Sequence, residues 1–278
     1  MKISLWGVRG SIPTSGSNTK YYGGSTSCAV VTDGESVLVL DAGSGIAQFD
    51  LSNYPGIRRL DILLTHLHLD HIQGLGFFKP LFNPNMEIHI WGPSGSTKSL
   101  HARLSRYLSP PLFPVLIRDL PCRLILHEVG NTEFQIGNLT IYSAYLIHPG
   151  PTVGYRISDG KSNFTYMPDH EPSLGQCGMI NDPNWISGYD LAANADLLYH
   201  DGQYSTKEYS SRVGWGHSSL EDALQYAKRS GVKHLVIGHH DPSHSDDQLH
   251  EMFNELKEKN KNGLQYELAV EGMEFELP

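Results

Sequence analysis

The sequence predicts an α/β fold, a single domain over residues 1–278, with a metal site where apolar strands end. Three observations predict it. Strand-like and helix-like runs alternate to the end of the chain. One apolar run, Ile62-Leu63-Leu64, leads straight into Thr65-His66-Leu67-His68-Leu69-Asp70-His71. Three further apolar runs lead into His148, Asp169 and His239. The 278 residues, 39% of them hydrophobic, are ample for a sizeable core.

The histidine-rich stretch carries the argument. Residues two apart on an extended strand point to the same side, so His66 and His68 aim at one centre. Asp70 and His71 follow where the strand breaks into a loop, within reach of a second centre nearby. Neutral imidazoles with a hard carboxylate suit zinc, manganese or iron better than calcium or magnesium. A polar turn is the alternative, and four metal-competent side chains in six positions outweigh it.

Taken in order, the chain opens with a strand over 2–8 and a Gly/Ser loop from Arg9 to Ser17, followed by a second such loop around Gly23-Gly24. Neither has a P-loop or dinucleotide spacing, so both read as turns, with Arg9 the side chain to test for a role. Asp33-Gly34 between two β-rich runs signals a hairpin, and Asp41 at its end reads as a brace for a metal-bound histidine or as a plain turn residue.

Beyond the motif the pattern predicts a helix over 72–82, a strand over 87–91, a helix over 97–108 stopped by the Pro110–Pro114 run, and strands over 123–129, 139–147, 152–158 and 163–167. His89, His101 and His127 have no ligand-like neighbours and read as structural. Residues 171–188 turn to Pro, Gly, Asn and Ser and read as a lid, with Met179, Trp185 and Tyr189 suited to stacking or to packing.

A strand over 195–199 ends in His200-Asp201, and Gly216-His217-Ser218 precedes a helix over 220–230. Ser218 and Glu221 match a capping box, which sets His217 beside a positive helix end that would lower its pKa. A strand over 233–237 reaches His239, while His240, Asp241 and His244 read as loop residues. A helix over 246–259 and a hairpin of 265–270 with 273–277 close the chain.

Composition bounds the partners. Acidic residues outnumber basic ones 30 to 21, for a formal net charge of −9. A protein that grips long DNA or RNA normally carries a basic surface, so the balance favours a small anionic substrate. No apolar run approaches a membrane span. The three scattered cysteines and the early Arg9 lead to the expectation of a cytoplasmic protein.

The order Thr65-His66-x-His68-x-Asp70-His71, His148, Asp169, His239 resembles the metallo-β-lactamase superfamily across nearly the whole chain. That resemblance implies a four-layered αβ/βα sandwich and two divalent metal ions, zinc foremost, with manganese or iron as alternatives. It places His66, His68 and His148 on one ion, Asp70, His71 and His239 on the other, and Asp169 between them.

His200-Asp201 and Gly216-His217-Ser218 look like the extra motifs of RNase Z-type ribonucleases and their small phosphodiesterase relatives. By that likeness Asp201 orients His217, the general acid, and the catalytic set is Asp70, His217 and Asp201. Two departures stand out, Asp where the ribonucleases use Glu and a short 148–169 connection without their long arm, and the missing arm together with the acidic charge argues against tRNA. The implied activity is hydrolysis of a small phosphodiester, such as a cyclic or short nucleotide, by a shared hydroxide with His217 protonating the leaving oxygen. RNase Z-like cleavage, lactone or thioester hydrolysis and nucleotide binding without turnover are the competitors. A homodimer is in keeping with such relatives.

Overall fold

The computed structural model describes residues 1–173, 178–260 and 263–278. Strands β1 (Lys2–Gly7), β2 (Cys28–Asp33), β3 (Ser36–Leu40), β4 (Arg59–Leu63), β5 (Glu87–Pro93) and β6 (Arg123–Val129) build one sheet, with short helices α1 (Leu69–Ile72) and α2 (Leu100–Leu104) on its outer side. Strands β7 (Thr132–Ile136), β8 (Leu139–Tyr145), β9 (Val153–Ser158), β10 (Asn163–Met167), β11 (Leu197–Asp201), β12 (His234–Gly238) and β13 (Gln265–Leu268) build the other. Helices α3 (Tyr189–Ala192), α4 (Thr206–Tyr209), α5 (Leu220–Arg229) and α6 (Asp246–Lys259) accompany that second half, and β14 (Glu274–Glu276) returns to the first sheet. The orders are β14-β1-β2-β3-β4-β5-β6 and β13-β12-β11-β10-β9-β8-β7.

Side-chain alternation makes the layers. In β2, Ala29 and Val31 face the core between the sheets, while Cys28 and Val30 face the outer core that also buries Leu100 and Leu104 of α2. In β12, Val236 faces the inner core and Leu235 and Ile237 pack with Leu224 and Leu249 of the outer helices. The arrangement is the αβ/βα sandwich that the sequence implies.

Direction places the chemistry. β3 and β4 are parallel, and so are β10, β11 and β12. β8 runs antiparallel to β9, which runs antiparallel to β10, so β8 points the same way as β10. Their C-terminal ends therefore meet at one rim of each sheet. There the sheets are stitched: Val153 N–H donates to Thr65 O at 2.9 Å, and the Tyr155 hydroxyl to Leu64 O at 2.8 Å.

The Asp33-Gly34 turn forms as expected, with Gly34 at φ 56° between β2 and β3. Four local readings are corrected. The helix expected over 72–82 is one turn followed by 3-10 turns at Leu75–Phe77 and Lys79–Phe82. Gly74 packs so closely that a Cβ would sit 2.3 Å from Gly43 O, and Pro80 cannot continue the ladder. The helix over 97–108 contracts to α2 behind its Ser99 cap. The cap of α5 is Ser219, accepting from Asp222 N–H, because the Ser218 hydroxyl donates to His170 O at 2.6 Å instead.

The closing runs form no hairpin: β13 pairs parallel with β12 and β14 antiparallel with β1, in opposite sheets. Among the described residues no helix is long and apolar enough to cross a membrane.

Candidate metal centre

The rim brings together all seven predicted ligands. One atom from each of His66, His68 and His148 lies within 4.8 Å of the others, and the same holds for Asp70, His71, Asp169 and His239. Asp169 sits between the two groups. Its Oδ2 is 3.7 Å from His66 Nε2 and 3.8 Å from His148 Nε2, and its Oδ1 is 3.0 Å from His71 Nε2 and 3.3 Å from His239 Nδ1. One carboxylate thus turns one oxygen to each centre.

The protein holds the remaining ring nitrogens of His71 and His148. His71 Nδ1 faces Asp41 Oδ2 at 2.8 Å, which leaves Nε2 for the site. Asp41 is fully buried and also accepts from the Thr65 N–H and hydroxyl, so it is the brace and not a plain turn. His148 Nδ1 donates to Gly216 O at 2.8 Å, and Asp70 Oδ2 accepts from Ser11 N–H at 2.8 Å. Gly10 and Gly216 have to be glycine here: a Cβ on either would lie 2.5 Å from the ring of His239 or His148. Asp41 and His239 hold left-handed backbone, φ 56° and 57°, a strained conformation that recurs at functional sites.

The donor set fits divalent metal on two counts. His66 Nε2, His71 Nε2 and Asp169 Oδ1 are buried with no hydrogen-bond partner, an arrangement that is costly unless something else satisfies them. His71 Nε2 and Asp169 Oδ1 face one another at 3.0 Å without hydrogen-bond geometry, as two ligands of one ion do. Burial also pushes His148 down to about 4 and His66 well below the ordinary histidine value, toward the neutral form that a metal requires, whereas at His71 the carboxylates of Asp169, Asp70 and Asp41 overcome burial and raise it. Burial alone would raise Asp70, but His71 and His239 hold its carboxyl well below the usual range.

Beside this cluster stands His217. Its Nδ1 is 2.7 Å from Asp201 Oδ2 and 3.9 Å from Asp169 Oδ2. Asp201 is fully buried and its carboxylate also accepts from the N–H groups of Gln203 and Ser218. The pKa expectation for His217 is reversed. Burial lowers it, yet the adjacent Asp201, then Asp169 and Asp70, raise it to about 9.

Arg9 lies away from this chemistry. It is fully buried, its Nε donating to Gly23 O and its Nη1 to the carbonyls of Asp241 and His244, so it clamps loops together. His240 Nε2 donates to Ala269 O at 2.8 Å, and His244 pairs with Glu208 at 2.9 Å, so both brace loops as expected. His89 and His127 meet each other on the first sheet, outside the cluster.

Of the segment read as a lid, residues 174–177 lie outside the described residues. Met179 and Tyr189 pack on the outer core of the second sheet, and Trp185 is exposed.

The sequence reading missed Glu171. This buried carboxylate accepts from Gly214 N–H at 2.7 Å, Gly216 N–H at 2.8 Å and the Tyr209 hydroxyl at 2.9 Å, fixing the loop that presents His217. It also missed a cleft of about 390 Å³ opening on His66 and His68 and walled by Arg103, Arg106, Tyr107 and Leu112. Glu171 gives no local signal beyond its place soon after Asp169. The two arginines fall in the segment 95–120, where the sequence places specificity without singling out a side chain.

The family model described as "Beta-lactamase superfamily domain" matches residues 37–240. Ribonuclease Z of Nanoarchaeum equitans is 26% identical over 279 residues, covering 86% of this chain and 83% of that one. Among solved structures, the metallo-beta-lactamase fold protein YhfI from Bacillus subtilis superposes with a TM-score of 0.70 at 20% identity, covering 99% of each chain. Unliganded yeast PDE1 superposes with a TM-score of 0.68 at 16% identity, covering 98% of each.

Proposed function

The chain belongs to the beta-lactamase superfamily, and we propose that within it this protein is a phosphodiesterase acting on a small phosphodiester, such as a cyclic or short nucleotide. The observation that carries the reading is His217 beside the cluster, with its Nδ1 2.7 Å from the buried Asp201. A thioester or lactone hydrolase needs no such pair.

His66, His68 and His148 would hold one divalent ion, Asp70, His71 and His239 a second, with Asp169 serving both. Zinc is the first candidate, with manganese and iron next. Such ions supply Lewis acidity toward a phosphoryl oxygen and water activated at neutral pH. The protein residues do the rest. Asp41, Thr65 and Gly216 fix the tautomers and orientation of His71, His66 and His148. Asp201 holds the proton on His217 Nδ1 and stabilises the charged ring, so that Nε2 can donate to the departing ester oxygen. The ring of His217 stacks on His239 with centroids 5.1 Å apart and keeps a partly open edge toward solvent.

RNase Z-like cleavage of RNA is the second reading, favoured by the likeness to the Nanoarchaeum equitans ribonuclease Z. Against it stand the net charge of −9 and the 148–169 connection, which holds β9 and β10 and no inserted arm. The test is turnover of bis(p-nitrophenyl) phosphate by protein loaded with zinc or manganese, beside p-nitrophenyl phosphate, a thioester and a tRNA precursor with a 3′ trailer. Metal-dependent hydrolysis of the diester above the monoester and thioester is expected. Efficient trimming of the precursor would replace the first reading with the second, and no diester turnover with two ions bound would sink both.

A further inference from the structure

We propose that the cleft flanking His66 and His68 is a subsite for a second anionic group, read by Arg103 and Arg106. The inference rests on the diesterase reading and narrows its substrate class. The substrate is a phosphodiester whose retained half carries another phosphate.

The cleft is continuous with the metal cluster, since His66 and His68 form part of its wall. Its charge runs against that of the chain. Acidic residues outnumber basic ones 30 to 21 overall, yet the cleft wall contains two arginines and no carboxylate. Arg106 N–H bonds to Arg103 O at 3.2 Å, so the two residues sit one helical turn apart, a spacing that puts both side chains on one face.

Among the described residues the Arg106 side chain is exposed and has neither an ion pair nor a hydrogen bond. The Arg103 guanidinium, with Glu128 near enough to act on its charge, is anchored on Pro93 O through Nη2, and its buried Nε has no partner. An anchored guanidinium beside a free one is suited to the fork-like recognition of phosphate oxygens. Ile72, Leu112 and Tyr107 add apolar surface to the same wall, and the Tyr107 hydroxyl is fixed on Gln73 O. A sugar or base lies against such a surface while the charges at either end orient it.

Polarity follows from the same geometry. His148 stands between His68 and His217, its ring centroid 5.0 Å from each. His217 does not line the cleft. The ester arm that leaves therefore departs on the His217 side, and the arm that keeps the phosphorus lies in the cleft.

The test is calorimetric, on zinc-loaded protein, comparing thymidine 5′-monophosphate with thymidine 3′,5′-bisphosphate. The bisphosphate is expected to bind roughly tenfold tighter or more. Arg106→Ala should collapse that margin, as should Arg103→Gln. Arg118→Ala, which removes the same charge from an exposed site outside the cleft, should leave it in place. Equal affinities in the parent protein would overturn the subsite, and so would a margin that survives loss of both cleft arginines.

Hydrolysis of thymidine 5′-(p-nitrophenyl phosphate) separates the two proposals. Turnover with equal affinities refutes the subsite alone. An arginine-dependent margin with no turnover supports the subsite and refutes the diesterase reading.

Discussion

His217 and Asp201 lie 16 positions apart and meet at 2.7 Å because a bridge between Tyr204 and Ser219 sets the start of α5 beside the end of β11. A helix terminus is worth about 0.3–1 kcal/mol to a nearby charge. A buried carboxylate in hydrogen-bond contact outweighs it, which is why the His217 pKa goes up where the helix argument sent it down. The sequence shows the helix end and hides the contact. If His217 is the proton donor, its value depends on the leaving group. His217→Ala should lower kcat on an alkyl phosphodiester about 10²–10⁴-fold. It should cost far less on a p-nitrophenyl ester, whose leaving group needs no proton. Steady-state kinetics on the two esters, with metal content by mass spectrometry, checks this, and equal losses on both would remove the general-acid role. Asp41 gives a second test at this scale. Asp41→Asn keeps the volume but removes the charge opposite His71 Nδ1, so metal affinity should fall about 10–100-fold. Competition with a chromogenic chelator measures it.

At the scale of elements, the strand ends carrying ligands were readable because an apolar run followed by His or Asp is a local pattern. Which sheet a strand joins is not. Residues 265–270 and 273–277 look like a hairpin, yet the chain crosses from one sheet to the other between them, with Gly272 N–H on Leu5 O at 2.7 Å. The spacing of Glu171 from its partners has the same character, because three donors from 209–216 converge on it only in three dimensions. Glu171→Gln replaces one acceptor oxygen with a donor that faces N–H groups. The loop should shift, taking both His217 and the Gly216 carbonyl that holds His148 with it. We expect kcat on an alkyl diester to fall about tenfold or more at an unchanged far-UV spectrum, in line with the cost of a small misplacement. Parent-like kinetics would show that the loop is held without the carboxylate.

At the scale of the molecule, the centre joins two halves. His66, His68, Asp70 and His71 follow β4 in the first sheet, whereas His148, Asp169 and His239 follow strands of the second. The sandwich was legible because the ligand order matches a known family. The seam between the sheets was not, since contacts such as Tyr155 to Leu64 O depend on how the sheets are set against each other. Any ion bound across that seam favours the folded state by mass action, by about 2.7 kcal/mol at a hundredfold excess over its Kd. For a chain of this length each kcal/mol is worth about 2 °C in Tm. Zinc at that excess should therefore raise Tm by about 5 °C per occupied site over chelator-treated protein, as read by scanning calorimetry. Asp169 faces both groups, so Asp169→Asn should lose most of the rise and bind fewer than two ions. A variant that keeps both the shift and two ions would show that the two centres fill without a shared carboxylate.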